Sequence, residues 1–180
     1  NNTPDEDFAC AIEEVFNVYD YLKVIACDVY ISNWDGYIYN KNNFYLYDNP
    51  LTGKFEYIPY DLDNTYGITW WESDYPTRDI YQWQNDWEYR PLYERIMAVP
   101  RFRDQYSYYF QQLIEDVAPA EWIYPYMDSI RAVIEPYVAA DPFYPLDYGF
   151  TIQDFNNSYT EAVANHVPIG IQPYLDQRIS

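Results

Sequence analysis

Glycine is scarce in this chain, with five among 180 residues, and none are clustered into the glycine-rich turn that wraps nucleotide phosphates. Lysine is rarer still: Lys23, Lys41 and Lys54 are the whole supply. Ten basic residues stand against 29 acidic ones, and a formal charge of −19 repels a polyanion, so nucleic acid is excluded as a partner. The same charge raises the local concentration of cations, and it also suits a solvated, self-repelling surface. The two cysteines have no metal-type spacing. Cys10 and Cys27 fall in neighbouring predicted helices and read equally well as a disulfide or as two buried thiols. No apolar run approaches the ~18 residues that cross a bilayer, and the stretch around Val24 is interrupted by Asp28, so no membrane span is expected. An initiating methionine and a signal peptide are both missing, which is expected of a mature secreted form or a segment of a longer chain.

Aromatic residues are abundant. Twenty-four tyrosines, nine phenylalanines and six tryptophans carry much of a hydrophobic content of 49%, which excludes general disorder. A phenol buries its ring while its hydroxyl stays wet, so a tyrosine-rich surface is expected around the core of a single domain spanning residues 1–180.

The expected class is α+β, mostly helical with one β-hairpin. Two helices fill the first thirty residues, and in the second Leu22, Ile25, Ala26 and Val29 make one buried stripe. Phe44–Tyr47 and Phe55–Tyr60 flank a Pro/Gly turn and predict the hairpin. From Gly67 to about Trp87 no period is evident, and an ordered loop is expected, with Trp70, Trp71, Trp83 and Trp87 as core. Pro100 and Pro119 can each open a helix; the second presents Trp122, Tyr126, Ile130, Val133, Ile134 and Tyr137 at helical spacing. Thr151 and Asp154 form a capping-box pattern, and the segment from Pro173 to Ser180 also reads as helical. His166, near a helix end, reads as structural.

The chemistry-bearing residues surround the hairpin. Its outer ends must be neighbours, so the loop holding Asp35, Asn40 and Asn43 approaches the loop holding Asp61 and Asp63. Three carboxylates and several amides are oxygen donors suited to a hard divalent cation. Taken alone, Asp35 before Gly36 is a turn residue, and Asp61 with Asp63 is an exposed acidic turn. Strand alternation predicts that Asp61 and Asp63 face one way while Leu62 enters the core. The order of an Asp, an amide five to eight residues on, a hairpin and a second Asp is that of the protein-kinase catalytic loop and metal-binding motif.

From about Asp20 to Ser180 the sequence resembles the spore coat protein H-like (CotH) kinases, atypical kinases that are secreted or surface-associated. The residues that carry the resemblance are Asn33-Trp34-Asp35-Gly36-Tyr37, Asn43-Phe44-Tyr45-Leu46-Tyr47, Ile58-Pro59-Tyr60-Asp61-Leu62-Asp63-Asn64-Thr65-Tyr66-Gly67 and Ile171-Gln172-Pro173-Tyr174-Leu175-Asp176-Gln177-Arg178. The resemblance implies a protein-kinase-like C-terminal lobe, with Asp35 as catalytic base and Asp61 as principal ligand of Mg²⁺ or Mn²⁺ held with ATP. Asn43, or Asn40 at the kinase spacing, would be the second ligand, and Asp63 would complete the shell or bind its own loop. It also implies an extracellular or cell-surface location and a protein substrate. The glycine-rich cover and strand lysine of a nucleotide lobe are absent from these residues. The expectation is therefore a kinase-like domain that phosphorylates protein hydroxyls. The alternatives are a non-catalytic scaffold or adhesion module, with self-assembly or scaffold partners, and, more distantly, a glycosidase using Asp35 and Asp61 as its acid and base.

Overall fold

The computed structural model describes residues 2–71, 74–146, 148–163 and 166–180. The class is α+β: eight α-helices and one π-helical turn are described, with a single two-stranded antiparallel sheet among the described residues. The chain divides into two compact units, one of residues 1–65 and 78–113, the other of residues 66–77 and 114–180.

The first unit is built on helices α1 (Asp5–Val15) and α2 (Val18–Tyr30). Asn17 caps α2 by accepting the Asp20 backbone N–H. The expected stripe of Leu22, Ile25, Ala26 and Val29 is fully buried. It packs on α5 (Pro100–Gln112), whose Phe102, Tyr106 and Phe110 recur at helical spacing and are also buried. Tyr30 meets Phe110 edge-on at 6.3 Å between ring centres, and Tyr19 meets Phe102 at 6.2 Å. Helix α4 (Pro91–Met97) begins at a proline and buries Tyr93 and Ile96.

Strands β1 (Phe44–Asn49) and β2 (Lys54–Pro59) pair from Phe44 with Pro59 to Asn49 with Lys54, as the aromatic runs predict. Gly53, at φ 69°, supplies the left-handed residue that closes their turn. The hairpin is anchored at its base by aromatic contacts. Tyr57 stacks on Phe44 with ring centres 5.5 Å apart, and lies edge-on to Tyr21 of α2 at 5.1 Å. The Asn17 N–H donates to the Phe55 carbonyl at 2.9 Å, and the Asn17 amide to Glu56 at 2.7 Å.

The π-helical turn Leu113–Val117 begins at the last residue of the first unit, and the second unit carries α6 (Ala120–Ala140), α7 (Ile152–Asn157) and α8 (Ile171–Ile179). The Thr151–Asp154 capping box is present in both directions, with Thr151 accepting the Asp154 N–H and Asp154 accepting that of Thr151. Tyr174 and Leu175 of α8 are buried. Gly170 lies so close to Thr160 and Glu161 that a Cβ would sit 2.5 Å from their backbone. Trp70 stacks on His166 at 4.0 Å, consistent with a structural histidine.

Two expectations need correction, and one helix that forms as expected differs from α2 in its burial. Cys10 and Cys27 are neither bridged nor buried: both thiols are free and exposed, because Cys27 turns away from the Leu22–Ile25–Ala26–Val29 face. Of the four loop tryptophans only Trp83 is core, whereas Trp70 and Trp71 are half-exposed and Trp87 is 86% exposed. Helix α6 forms with its apolar period intact, yet none of its residues is buried. Helices α7 and α8 contact it without covering the Trp122–Tyr137 stripe.

Candidate functional site

Asp35 is placed by the way α2 ends. Ser32 takes a left-handed conformation at φ 56°, which returns the Ser32 N–H to the Val29 carbonyl at 3.3 Å and the Asn33 N–H to the Asp28 carbonyl at 2.8 Å. This is a Schellman closure with serine where glycine is usual. Ser32, Asn33 and Trp34 are buried by it, and half-buried Asp35 follows at the edge of the core. Beneath the loop the Asn33 amide donates to the Asp28 carboxylate at 3.2 Å. Asp28 is only 3% exposed, and burial pushes its carboxyl up to about 6, partly offset by the Asn33 hydrogen bond. Tyr21 and Tyr57 lie close enough that burial, reinforced by the Asp28 charge, raises both phenols well above the ordinary tyrosine range.

Helix α3 (Tyr37–Asn40) is one turn that starts at Gly36 and ends at Lys41, left-handed at φ 56°. A Cβ on Gly36 would come within 2.8 Å of the Asn33 amide nitrogen, so only glycine leaves the Asp28–Asn33 pair undisturbed. The turn carries the chain back on itself, and both amides beyond Asp35 return to it. Asn40 donates to one Asp35 oxygen at 2.5 Å, and Asn43 to the other at 2.9 Å. A carboxylate has about four acceptor positions, so Asp35 retains capacity for a further donor such as an incoming hydroxyl.

The hairpin links this loop to the acidic segment. The Tyr60 N–H donates to the Asn43 carbonyl at 2.9 Å, which adds one rung beyond Phe44 and Pro59. Asn43 and Asp61 flank that rung, and both are left-handed, at φ 51° and 53°. Asx residues tolerate this conformation best after glycine, so each bends the chain out of the ladder where extended backbone would have continued. Strand alternation therefore stops at Asp61. Leu62, expected in the core, is 45% exposed. Asp63 is also exposed; its carboxylate accepts the Asn64 amide at 2.9 Å and its carbonyl the Thr65 N–H at 3.1 Å, so part of its capacity is spent within its own loop.

The structure thus joins Asp35, Asn40 and Asn43 directly, connects Asp61 to them through the Asn43–Tyr60 rung, and shows no hydrogen bond from Asp63 to that group. Among the described residues no three His, Cys, Asp or Glu side chains cluster to hold a metal ion. One carboxylate and one amide oxygen are, however, the usual protein share of a Mg²⁺ whose remaining ligands are phosphates and water, and Asp61 with Asn43 fits that donor set.

Two contributors escaped the sequence reading. Asp28 interrupts an apolar run, and that interruption was the available signal. Arg90 is fully buried; its guanidinium donates from Nε to the Tyr37 carbonyl at 3.2 Å and from Nη2 to the Tyr39 carbonyl, which also accepts the Asn85 amide. No spacing in the sequence relates Arg90 to Asp35.

A family model described as CotH kinase protein matches residues 1–178. The inner spore coat protein H of Bacillus subtilis (strain 168) is 27% identical over 143 residues, covering 79% of this chain and 38% of that protein. The chain therefore spans well under two thirds of that relative's length. With the family model covering nearly every residue, this chain belongs to the CotH kinase protein family.

Proposed function

We propose that this chain forms the catalytic and metal-binding part of a protein-kinase-like C-terminal lobe, which transfers the γ-phosphoryl group of ATP to a protein hydroxyl at the cell surface or outside the cell. The observation that carries the proposal is the hydrogen-bonded path from Asp35 through the Asn43 side chain and backbone to Tyr60, adjacent to Asp61. Asp35 accepts the proton of the attacking hydroxyl and orients its oxygen toward the phosphorus. Asn43 turns its NH₂ toward Asp35, so its carbonyl oxygen remains available as an acceptor, one backbone rung from the strand that leads to Asp61. Asn40 steadies Asp35 from the other side, and the lesser amide role falls to it because it is exposed and lies outside the hairpin rung. A divalent cation at Asp61 and Asn43 would neutralise charge on the phosphate oxygens during transfer. Family membership supports this activity, and the name of the spore-coat relative supports a surface setting.

The test is calorimetric titration of the protein with Mg²⁺ or Mn²⁺, with and without ATP, beside the Asp61→Ala variant, together with transfer of labelled γ-phosphate to a hydroxyl acceptor. Transfer and metal–ATP binding that both vanish in the variant, with the circular dichroism unchanged, support the assignment. Transfer that survives refutes it.

A second reading, a non-catalytic scaffold or adhesion module, is favoured by α6, whose Trp122, Tyr126, Ile130 and Ile134 leave 41 to 50% of their surface exposed. Failure to bind ATP with metal would select it.

A further inference from the structure

Between Asp35 and Asn43 lies one short helical turn whose last residue is Asn40, and a turn of four residues is too short to hold its own shape in water. Something outside it must fix the separation of Asp35 from Asn40 and Asn43. The structure supplies this from a segment fifty residues away. Arg90 is 0% exposed. Its guanidinium reaches the carbonyls of both Tyr37 and Tyr39, while Nη1 donates to the Glu88 carbonyl at 2.9 Å and meets the Glu88 carboxylate at 3.3 Å. Asn85 donates to the Tyr39 carbonyl, and the Leu92 N–H to the Tyr37 hydroxyl at 3.2 Å. Residues 85–92 therefore hold α3 at its backbone and at one side chain. Glu88 also pairs with Lys41 at 2.9 Å, at the residue that closes the turn.

We propose that Arg90 is a positioning residue for the Asp35–Asn43 pair, acting through the backbone of α3; this rests on the kinase-like reading of Asp35 given above. The planar guanidinium fork is the feature that matters. Its fixed donors satisfy two α3 carbonyls and the Glu88 carbonyl together, whereas a lysine ammonium is a compact point charge that cannot span them. The buried charge is tolerated because these carbonyls and the Glu88 carboxylate surround it. If the fork is lost, α3 can turn or fray, and Asn40 and Asn43 shift relative to Asp35 by an ångström or so. Displacements of that size at a reacting centre cost on the order of 100-fold in rate.

The test compares wild type, Arg90→Lys, Asp35→Asn and Ile96→Val, the last a buried apolar α4 position that takes no part in the Arg90 hydrogen bonds and serves as the control for lost stability. The readouts are kcat and KM for ATP in phosphoryl transfer, the unfolding midpoint, and hydrogen exchange of the amides of residues 37–43. The expected result for Arg90→Lys is a 10- to 100-fold fall in kcat, KM for ATP changed by no more than a few-fold, and faster exchange confined to residues 37–43. Ile96→Val should lose stability with kcat intact. Full activity in Arg90→Lys, with Asp35→Asn inactive, overturns the positioning role alone. Equal kcat losses in Arg90→Lys and Ile96→Val, with exchange faster throughout residues 1–65 and 78–113, reduce Arg90 to a packing role and also overturn it. A wild type indistinguishable from Asp35→Asn overturns the kinase-like reading, and the positioning role falls with it.

Discussion

Asp28 sits under the Asp35 loop, 3% exposed, and among the described residues only the Asn33 amide offsets the burial of its carboxylate. The groups that face it, Tyr21 and Tyr57 together with neighbouring Cys27, are all neutral at pH 7 and add no attraction. Raising a carboxyl from 3.8 to about 6 corresponds to about 3 kcal/mol, at 1.36 kcal/mol per tenfold change in proton affinity. The sign follows from proton uptake. Between roughly pH 4 and 6 the folded state holds a proton at Asp28 that the unfolded state has released, so this residue makes stability fall as pH rises. Below about pH 4 the carboxyl is protonated in both states and the cost vanishes; above about pH 6 it is borne in full. The structure also offers the protonated form a better arrangement, because the Asn33 Oδ1 is buried without a partner and can accept from a protonated Asp28 once the amide turns over. Asp28→Asn keeps the shape and abolishes the titration. Denaturant unfolding of wild type and Asp28→Asn at pH 4 and pH 7 should show the variant gaining about 2 kcal/mol relative to wild type at the higher pH, because the unfolded carboxyl is already partly ionised at pH 4, and carboxyl NMR of wild type should place the Asp28 midpoint near 6. A stability difference that is constant from pH 4 to 7 within about 0.5 kcal/mol, or a midpoint below about 4.5, refutes the reasoning.

Further expectations follow from individual positions. Gly36→Ala drives a methyl against the Asn33 amide, so it should cost about 1–3 kcal/mol and move the Asp28 midpoint upward by weakening its one hydrogen bond, both visible in the same NMR and unfolding experiments. Gly67→Ala combines φ 85° with a Cβ 2.6 Å from Ile169, and should destabilise by more than about 2 kcal/mol in a thermal melt. Asp61→Asn keeps a residue that tolerates the left-handed backbone and should retain the fold by circular dichroism while abolishing metal-dependent transfer. With no cluster of three acidic or imidazole ligands among the described residues, Mg²⁺ or Mn²⁺ should bind at least tenfold more tightly with ATP than without it by calorimetry; tight binding without nucleotide would contradict the Asp61–Asn43 donor set.

Elements specified by local rules were legible in the sequence. The α2 and α5 stripes recur at helical spacing, the Thr151–Asp154 box lies within four residues, and the hairpin is written in two aromatic runs around a Pro/Gly turn. Burial was less so, because a period shows only that one face is apolar. The α6 stripe has the same period as α2 and no residue that is buried. Arg90 was invisible for a related reason: its targets are backbone carbonyls, which every residue carries, so no side-chain pattern near Tyr37 or Tyr39 announces them.

The candidate site shows where a correct inference can rest on an incorrect step. The expectation that the two loops meet came from hairpin geometry, and the Asn43–Tyr60 rung joins them at that place. The expectation that Asp61 and Asp63 project together came from alternation, which holds only while the backbone stays extended. The left-handed turn at Asp61 removes that premise, and the matching turn at Asn43 removes it on the other strand. A ladder that continued would have given Asp61 another residue as its cross-strand partner and kept its side chain in register with the sheet. Because both residues turn out of the ladder directly after one shared rung, the amide of Asn43 is free to reach Asp35 while its backbone still holds the strand bearing Asp61. An Asx residue at both positions therefore serves the backbone as well as the proposed donor set. Replacing Asn43 with leucine should consequently lose more than the amide: the left-handed turn is disfavoured by about 1–2 kcal/mol, and hydrogen exchange at the Tyr60 N–H should accelerate along with it. Asn43→Gly, which tolerates the turn and lacks the amide, should leave that exchange slow while still abolishing transfer, and fast exchange in the glycine variant would show that the side chain, rather than the backbone conformation, holds the rung.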